Sequence, residues 1–232
     1  MPRPATDIRE RILAAARERF LREGVDGASL RSIAHDAGTS IGMVYYYFKT
    51  KDDLFIEVVE AVYGRFLRDM AALLSPQAPP EQRIARLYDY AARLGDDELD
   101  VVRLVLREAL VSSARLQRVA RRFEHGHVPM VMRTLREGVA SGRFDAELPP
   151  AAMLVATFLL ALLPQVLHRQ ISAAGLPISH LLPTRERAAQ ALCHVLLQGI
   201  GAPRSGSRVR SRARKRAGPI GRGRRKSAGT RA

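Results

Sequence analysis

Between Leu148 and Leu167 twenty consecutive positions carry no charge (LPPAAMLVATFLLALLPQVL). A helix that is apolar on all sides either crosses a membrane or is covered by protein on several sides. The dense part is only residues 151–163, with Pro149-Pro150 ahead of it and Pro164-Gln165 interrupting it. That length favours a buried helix, so no membrane partner is expected. A chain built around such a helix must cover it with further helices or with a second copy of itself.

The remainder supplies those helices. Ala, Leu, Arg and Glu dominate, and β-branched alternation never persists over a strand length. The pattern predicts an all-α chain of about nine helices, at roughly 7–23, 30–36, 41–48, 51–74, 81–94, 98–113, 116–140, 151–171 and 184–199. Thr6, Ser29, Ser40 and Thr50 stand at N-cap positions, and Asp53 completes a capping-box variant with Thr50. Gly24 suits the residue after the first helix. Pro129 and Pro164 fall inside two helices and are expected to kink them. The single cysteine, Cys193, excludes a disulfide-stapled domain and a multi-cysteine metal site.

The formal charge of +15 is unevenly placed. From Gly201 to Ala232 there are ten Arg and two Lys and no acid, which leaves +3 for residues 1–200. The 201–232 extension has little apolar surface to bury and reads as a disordered tail. Its expected action is non-specific attraction to nucleic-acid phosphates.

Specificity must come from elsewhere, and residues 29–48 (SLRSIAHDAGTSIGMVYYYF) are the place. Ile33, Ala34, Ala37 and Val44 are small or aliphatic where two short helices must cross. Gly38 supplies the bend. That is a helix-turn-helix with its second helix presented to solvent. Successive residues on a helix point about 100° apart, so Tyr45, Tyr46 and Tyr47 cannot all face one core. Phe48 reads as core. A tyrosine hydroxyl beside Lys49 and Lys51 suits a phosphate.

The stretch resembles the DNA-binding domain of the tetracycline-repressor (TetR) family of bacterial regulators. Phe20, Gly24, Val25, Ser29, Ile33-Ala34, Ala37-Gly38, Ser40, Gly42, Tyr45, Tyr47-Phe48, Lys51 and Leu54 carry the likeness, over roughly residues 6–66. Thr39 and Met43 depart from it, where the family commonly has Val and a small hydroxyl residue. The exposed helix also lacks Asn, Gln and Arg, so bidentate base reading must come from another element. Arg31, one helix earlier, matches a family position that often touches guanine. The resemblance implies that Arg31, Ser40, Ile41, Gly42, Met43 and Tyr46 approach base edges. It implies that Thr39, Tyr45, Tyr47 and Lys51 hold phosphates or the groove wall.

The same resemblance implies a two-fold dimer on a palindromic operator, joined through the last two helices. It implies a C-terminal domain over residues 67–200 that encloses a small-molecule effector. Tyr63, Phe66, Tyr88, Arg103, Arg107, Phe123, His127, Met130 and Phe158 are the expected lining. His125-x-His127 and Cys193-His194 lack the i, i+3 or i+4 spacing that lets helical ligands share a face, so no metal is expected. No cofactor loop and no nucleophile–base pair is evident, and an enzyme is not expected. Met1-Pro2-Arg3-Pro4 has no apolar run behind it, so no signal peptide is read there, and a cytoplasmic, nucleoid-associated chain is expected. The expectation is a ligand-responsive repressor. The competing one is a largely non-specific, nucleoid-associated protein driven by the basic tail.

Overall fold

The computed structural model describes residues 5–201. The basic extension from residue 202 onward, the first four residues and the Thr6 side chain lie outside the described residues. The helices are α1 (Ala5–Gly27), α2 (Leu30–Asp36), α3 (Ile41–Tyr47), α4 (Lys51–Leu73), α5 (Pro80–Ala92), α6 (Asp96–Val111), α7 (Ser113–Glu124), α8 (His127–Ala140), α9 (Pro150–Ala173) and α10 (Arg185–Ile200). A 3-10 turn at Pro177–Leu181 precedes α10. No strand occurs among the described residues; one isolated bridge pairs Phe144 with Gly201.

The ends follow local chemistry. Ser29, Ser40, Thr50, Ser112 and Thr184 each accept a backbone N–H at the start of a helix. Thr50 and Asp53 close a reciprocal capping box. Gly24 breaks α1 with φ +79°, so the last three residues turn toward α2.

One expected helix, 116–140, is two. The chain leaves helical geometry at Gly126 (φ −115°, ψ −114°), between α7 and α8. The cause is not Pro129, which is the third residue of α8, where a missing N–H costs no intrahelical bond. A Cβ at Gly126 would overlap the hydroxyl of Tyr63, so the break sits where a side chain from α4 presses on the backbone. Pro164 is carried inside α9, which runs through it to Ala173.

Two cores form. The first joins α1–α4 around Ile12, Phe20, Ile33, Leu54 and Phe55, and also takes Val101 and Leu104 of α6 and Val119 of α7. Phe20 and Phe55 meet edge to face at 6.4 Å. Removing each such ring from water contributes about 1.5–3 kcal/mol. The second joins the end of α4 to α5, α8, α9 and α10 around Met70, Ile84, Tyr88, Leu135 and Leu196. α4 is the element common to both.

Candidate nucleic-acid interface and interior cavity

The short helix α3 stands on α2 through buried Ile33, Ala34, Ala37 and Val44. Gly38 takes φ +61° in the turn between them, a conformation L side chains rarely adopt. Arg11 of α1 donates to the Ala37 carbonyl at 2.8 Å, and Arg19 grips Asp36 through two bonds of 2.5 and 3.0 Å. That pairing, with a smaller contribution from His35, holds the Asp36 carboxyl down at about 2.

Arg31, Ser40, Gly42, Tyr45 and Tyr46 are exposed; Thr39, Ile41, Met43 and Tyr47 are half-buried. Tyr46 is 77% exposed and Tyr45 55%, large aromatic surfaces with no core to enter. Phe48 is core, and Tyr47 packs partly against it with rings 6.2 Å apart. Lys51 is corrected. Its ammonium donates to the carbonyls of Asp26 (2.7 Å) and Ala28 (3.0 Å), tying the start of α4 to the α1–α2 loop. Lys49, beside it, is exposed.

A charged cluster fastens this head to the rest. Arg115 of α7 is buried and donates to buried Glu108 of α6 (2.6 Å), bidentately to Asp26 (2.9 and 2.7 Å), and to Asp52 (3.3 Å). Arg118 reaches Asp53 at 2.6 Å and Arg122 reaches Glu60 at 3.0 Å. The Arg115 guanidinium keeps the Asp26 carboxyl below its ordinary range.

Between α4, α6, α7, α8 and α9 lies a cavity of about 280 Å³. Of the nine residues expected to line it, Tyr63, Phe66, Phe123, His127 and Phe158 do. Tyr88, Arg103, Arg107 and Met130 do not. Tyr88 is fully buried in the second core, with its hydroxyl unpartnered and burial raising its pKa. Arg107 is exposed and lies against Gly24, donating to the Leu21 carbonyl at 3.4 Å. Met130 packs at the edge of the second core. Most of the remaining lining is aliphatic, including Val62, Val101, Val105 and Leu162, and Glu98 is its one charged side chain. Burial pushes the His127 imidazole down to about 4, so the ring is neutral near pH 7.

Residues 12–58 match the model of the bacterial regulatory proteins of the tetR family. Over those residues the chain is similar to the tetR family. The chain is 38% identical over 93 residues to the HTH-type transcriptional repressor NicS of Pseudomonas putida. That match covers 38% of the chain and 44% of the relative, so the chain spans under half that protein's length. It is 28% identical over 134 residues to the fatty acid metabolism regulator protein of Bacillus subtilis, covering 56% of the chain and 68% of the relative. In fold it resembles the Bacillus subtilis transcriptional regulator FadR solved with stearoyl-CoA, with TM-score 0.66 at 20% identity over 82% of this chain and 98% of that one.

The resemblance carried by residues 6–66 did not reach the internal clamp around Arg115. Arg115 lies one helical turn from buried Val119, which is a signal that it belongs to a buried stripe. Asp26 and Glu108 carried no such signal. On the far side, α9 leaves Val155, Leu159, Leu163 and Leu167 exposed at four-residue intervals, and α10 leaves Val195 exposed. By length and composition α9 is apolar enough to cross a membrane. Its other side packs on α5, α6, α8 and α10.

Proposed function

We propose that this chain is a sequence-specific DNA-binding transcriptional regulator, a ligand-responsive repressor that occupies a palindromic operator as a homodimer in the cytoplasm. The observation that carries the reading is the exposed face of α3, with Tyr45 and Tyr46 open to solvent on a helix whose underside is fixed by Val44. A helix presented in this way enters a major groove with its first turn. Arg31, Ser40, Ile41, Gly42, Met43 and Tyr46 approach base edges, and Thr39, Tyr45, Tyr47 and the neighbouring Lys49 meet the backbone.

One head touches too few base pairs for specificity. The apolar stripe of α9 with Val195 of α10 is the face on which a second copy docks, because an uncovered stripe of this kind marks an interface. The dimer sets two heads about 34–36 Å apart. The interior cavity takes the effector, and the Arg115 cluster links its walls to the head. Selection of binding sites from random DNA tests the reading. Palindromic sites are expected, and Arg31→Ala relaxes preference at one base pair per half-site at about 1–3 kcal/mol. Uniform binding without a preferred sequence refutes it.

A further inference from the structure

The cavity's polar chemistry reduces to one ring nitrogen, and its state follows from the hydrogen bonds around it. The Tyr63 hydroxyl accepts the His127 backbone N–H at 3.2 Å and lies 2.7 Å from Nδ1 of the same residue. The hydroxyl proton has no other acceptor among the described residues, so the bond is assigned as donated to Nδ1. The imidazole, neutral from its burial, then carries its own proton on Nε2. Nε2 has no hydrogen-bond partner among the described residues. The ring is framed by Phe123 at 4.7 Å, Phe158 at 4.8 Å and Phe66 at 5.3 Å between centroids. An N–H left in such apolar surroundings is a donor that lacks an acceptor.

Charge is excluded from the same space. Among the described residues no Lys or Arg lines the cavity, so a buried carboxylate or phosphate would have no counter-charge there. Among the described residues Glu98 is the one acid of the lining, and its charge is compensated at the start of α6, where Oε2 accepts the Gly95 N–H at 2.7 Å at the positive end of the helix. At about 30 Å³ per water-sized volume, 280 Å³ holds on the order of ten non-hydrogen atoms.

We propose that the cavity binds an uncharged, largely apolar molecule of this size that presents one acceptor oxygen to His127 Nε2, with Tyr63 as the positioning residue that fixes the tautomer. This rests on the reading of the cavity as the effector site and departs from the acyl-thioester of the solved fatty-acid regulator. A ketone, aldehyde or ester satisfies it; a fatty-acid anion, an acyl-CoA and a lipophilic cation do not.

The test is calorimetric titration of the full chain with acetophenone, isopropylbenzene, benzoate, phenyltrimethylammonium and stearoyl-CoA, which present the acceptor, no polar group, an anion, a cation and an acyl-CoA. Acetophenone and isopropylbenzene bind; the other three bind at least about 100-fold more weakly than acetophenone, since burying an unpaired charge is costly. His127→Phe weakens acetophenone about 3- to 10-fold and leaves isopropylbenzene within about twofold, as loss of one neutral hydrogen bond requires. Tyr63→Phe, which keeps the ring, lowers acetophenone affinity in the same selective way by a smaller factor. Equal changes for the two neutral probes, tighter binding of any of the other three, or no binding of any probe overturns the proposal. Operator affinity is measured separately with and without acetophenone. Selective binding without any change in DNA affinity overturns the effector reading and leaves the ligand class standing.

Discussion

Replacing Arg115 by Met removes the centre of the clamp and leaves the Glu108 carboxylate, 3% exposed, without its cation. What remains to Glu108 is a long contact from the Val25 N–H at 3.5 Å. Breaking a buried ion pair by deleting one partner costs about 3–5 kcal/mol, mostly the unpaired charge left behind. Asp26, whose side chain is 70% exposed, adds little because water replaces its partner. Against a domain stability of about 5–15 kcal/mol the loss is large enough to move the unfolding midpoint clearly. Glu108→Gln in the Arg115→Met background removes the stranded charge, so the double variant is more stable than Arg115→Met alone. The coupling between the two sites is expected at about 1–3 kcal/mol. Urea unfolding followed by circular dichroism on all four members of the cycle measures both quantities. A cost below about 1 kcal/mol for Arg115→Met, or additive single effects, refutes the claim that this pair is buried and mutually dependent.

Acidification acts through His127. The unfolded imidazole takes up its proton near 6.5 and the folded one only near 4, so stability is complete above pH 6.5 and falls by up to about 3 kcal/mol on going down to pH 4; His127→Phe flattens that part of the unfolding profile, and an unchanged slope contradicts the assignment. At Gly138 a Cβ would overlap the ring of buried Phe144, so Gly138→Ala costs about 1–3 kcal/mol by overpacking, read as a lowered melting temperature. Leu159→Glu places a charge in the exposed stripe of α9 and yields a monomer by light scattering with weakened operator binding but a native far-ultraviolet spectrum; a persistent dimer moves the interface elsewhere.

The reading head was legible because its signals are local. Ser29, Ser40 and Thr50 cap within three residues, and Gly38 bends within one. The features that escaped depend on distant partners. Lys51 looked like a phosphate ligand beside three tyrosines, but its partners are carbonyls 23 and 25 residues earlier. Pro129, a strong local signal, points to a kink inside one helix over 116–140, whereas the chain breaks at Gly126, where the Tyr63 hydroxyl, 63 residues earlier, leaves no room for a side chain. Aromatic spacing identified apolar side chains for the interior and could not divide them between two cores. Thus Phe66 and Phe158 reach the cavity while Tyr88, of the same residue class, is sealed in the second core.

Tyr63 and Lys51 belong to one continuous helix, and that has a mechanical consequence. Twelve residues at about 1.5 Å each place them about 18 Å apart along α4. Lys51 is lashed to the loop that leads into α2, so the near end of this rod cannot slide past the head. A tilt of about 5° pivoting at Tyr63 carries the lashed end, and the exposed tyrosines with it, through roughly 1.5 Å. In the proposed two-fold dimer that displacement enters twice. A molecule too small to approach DNA could therefore alter the gauge between two reading helices without reshaping either one.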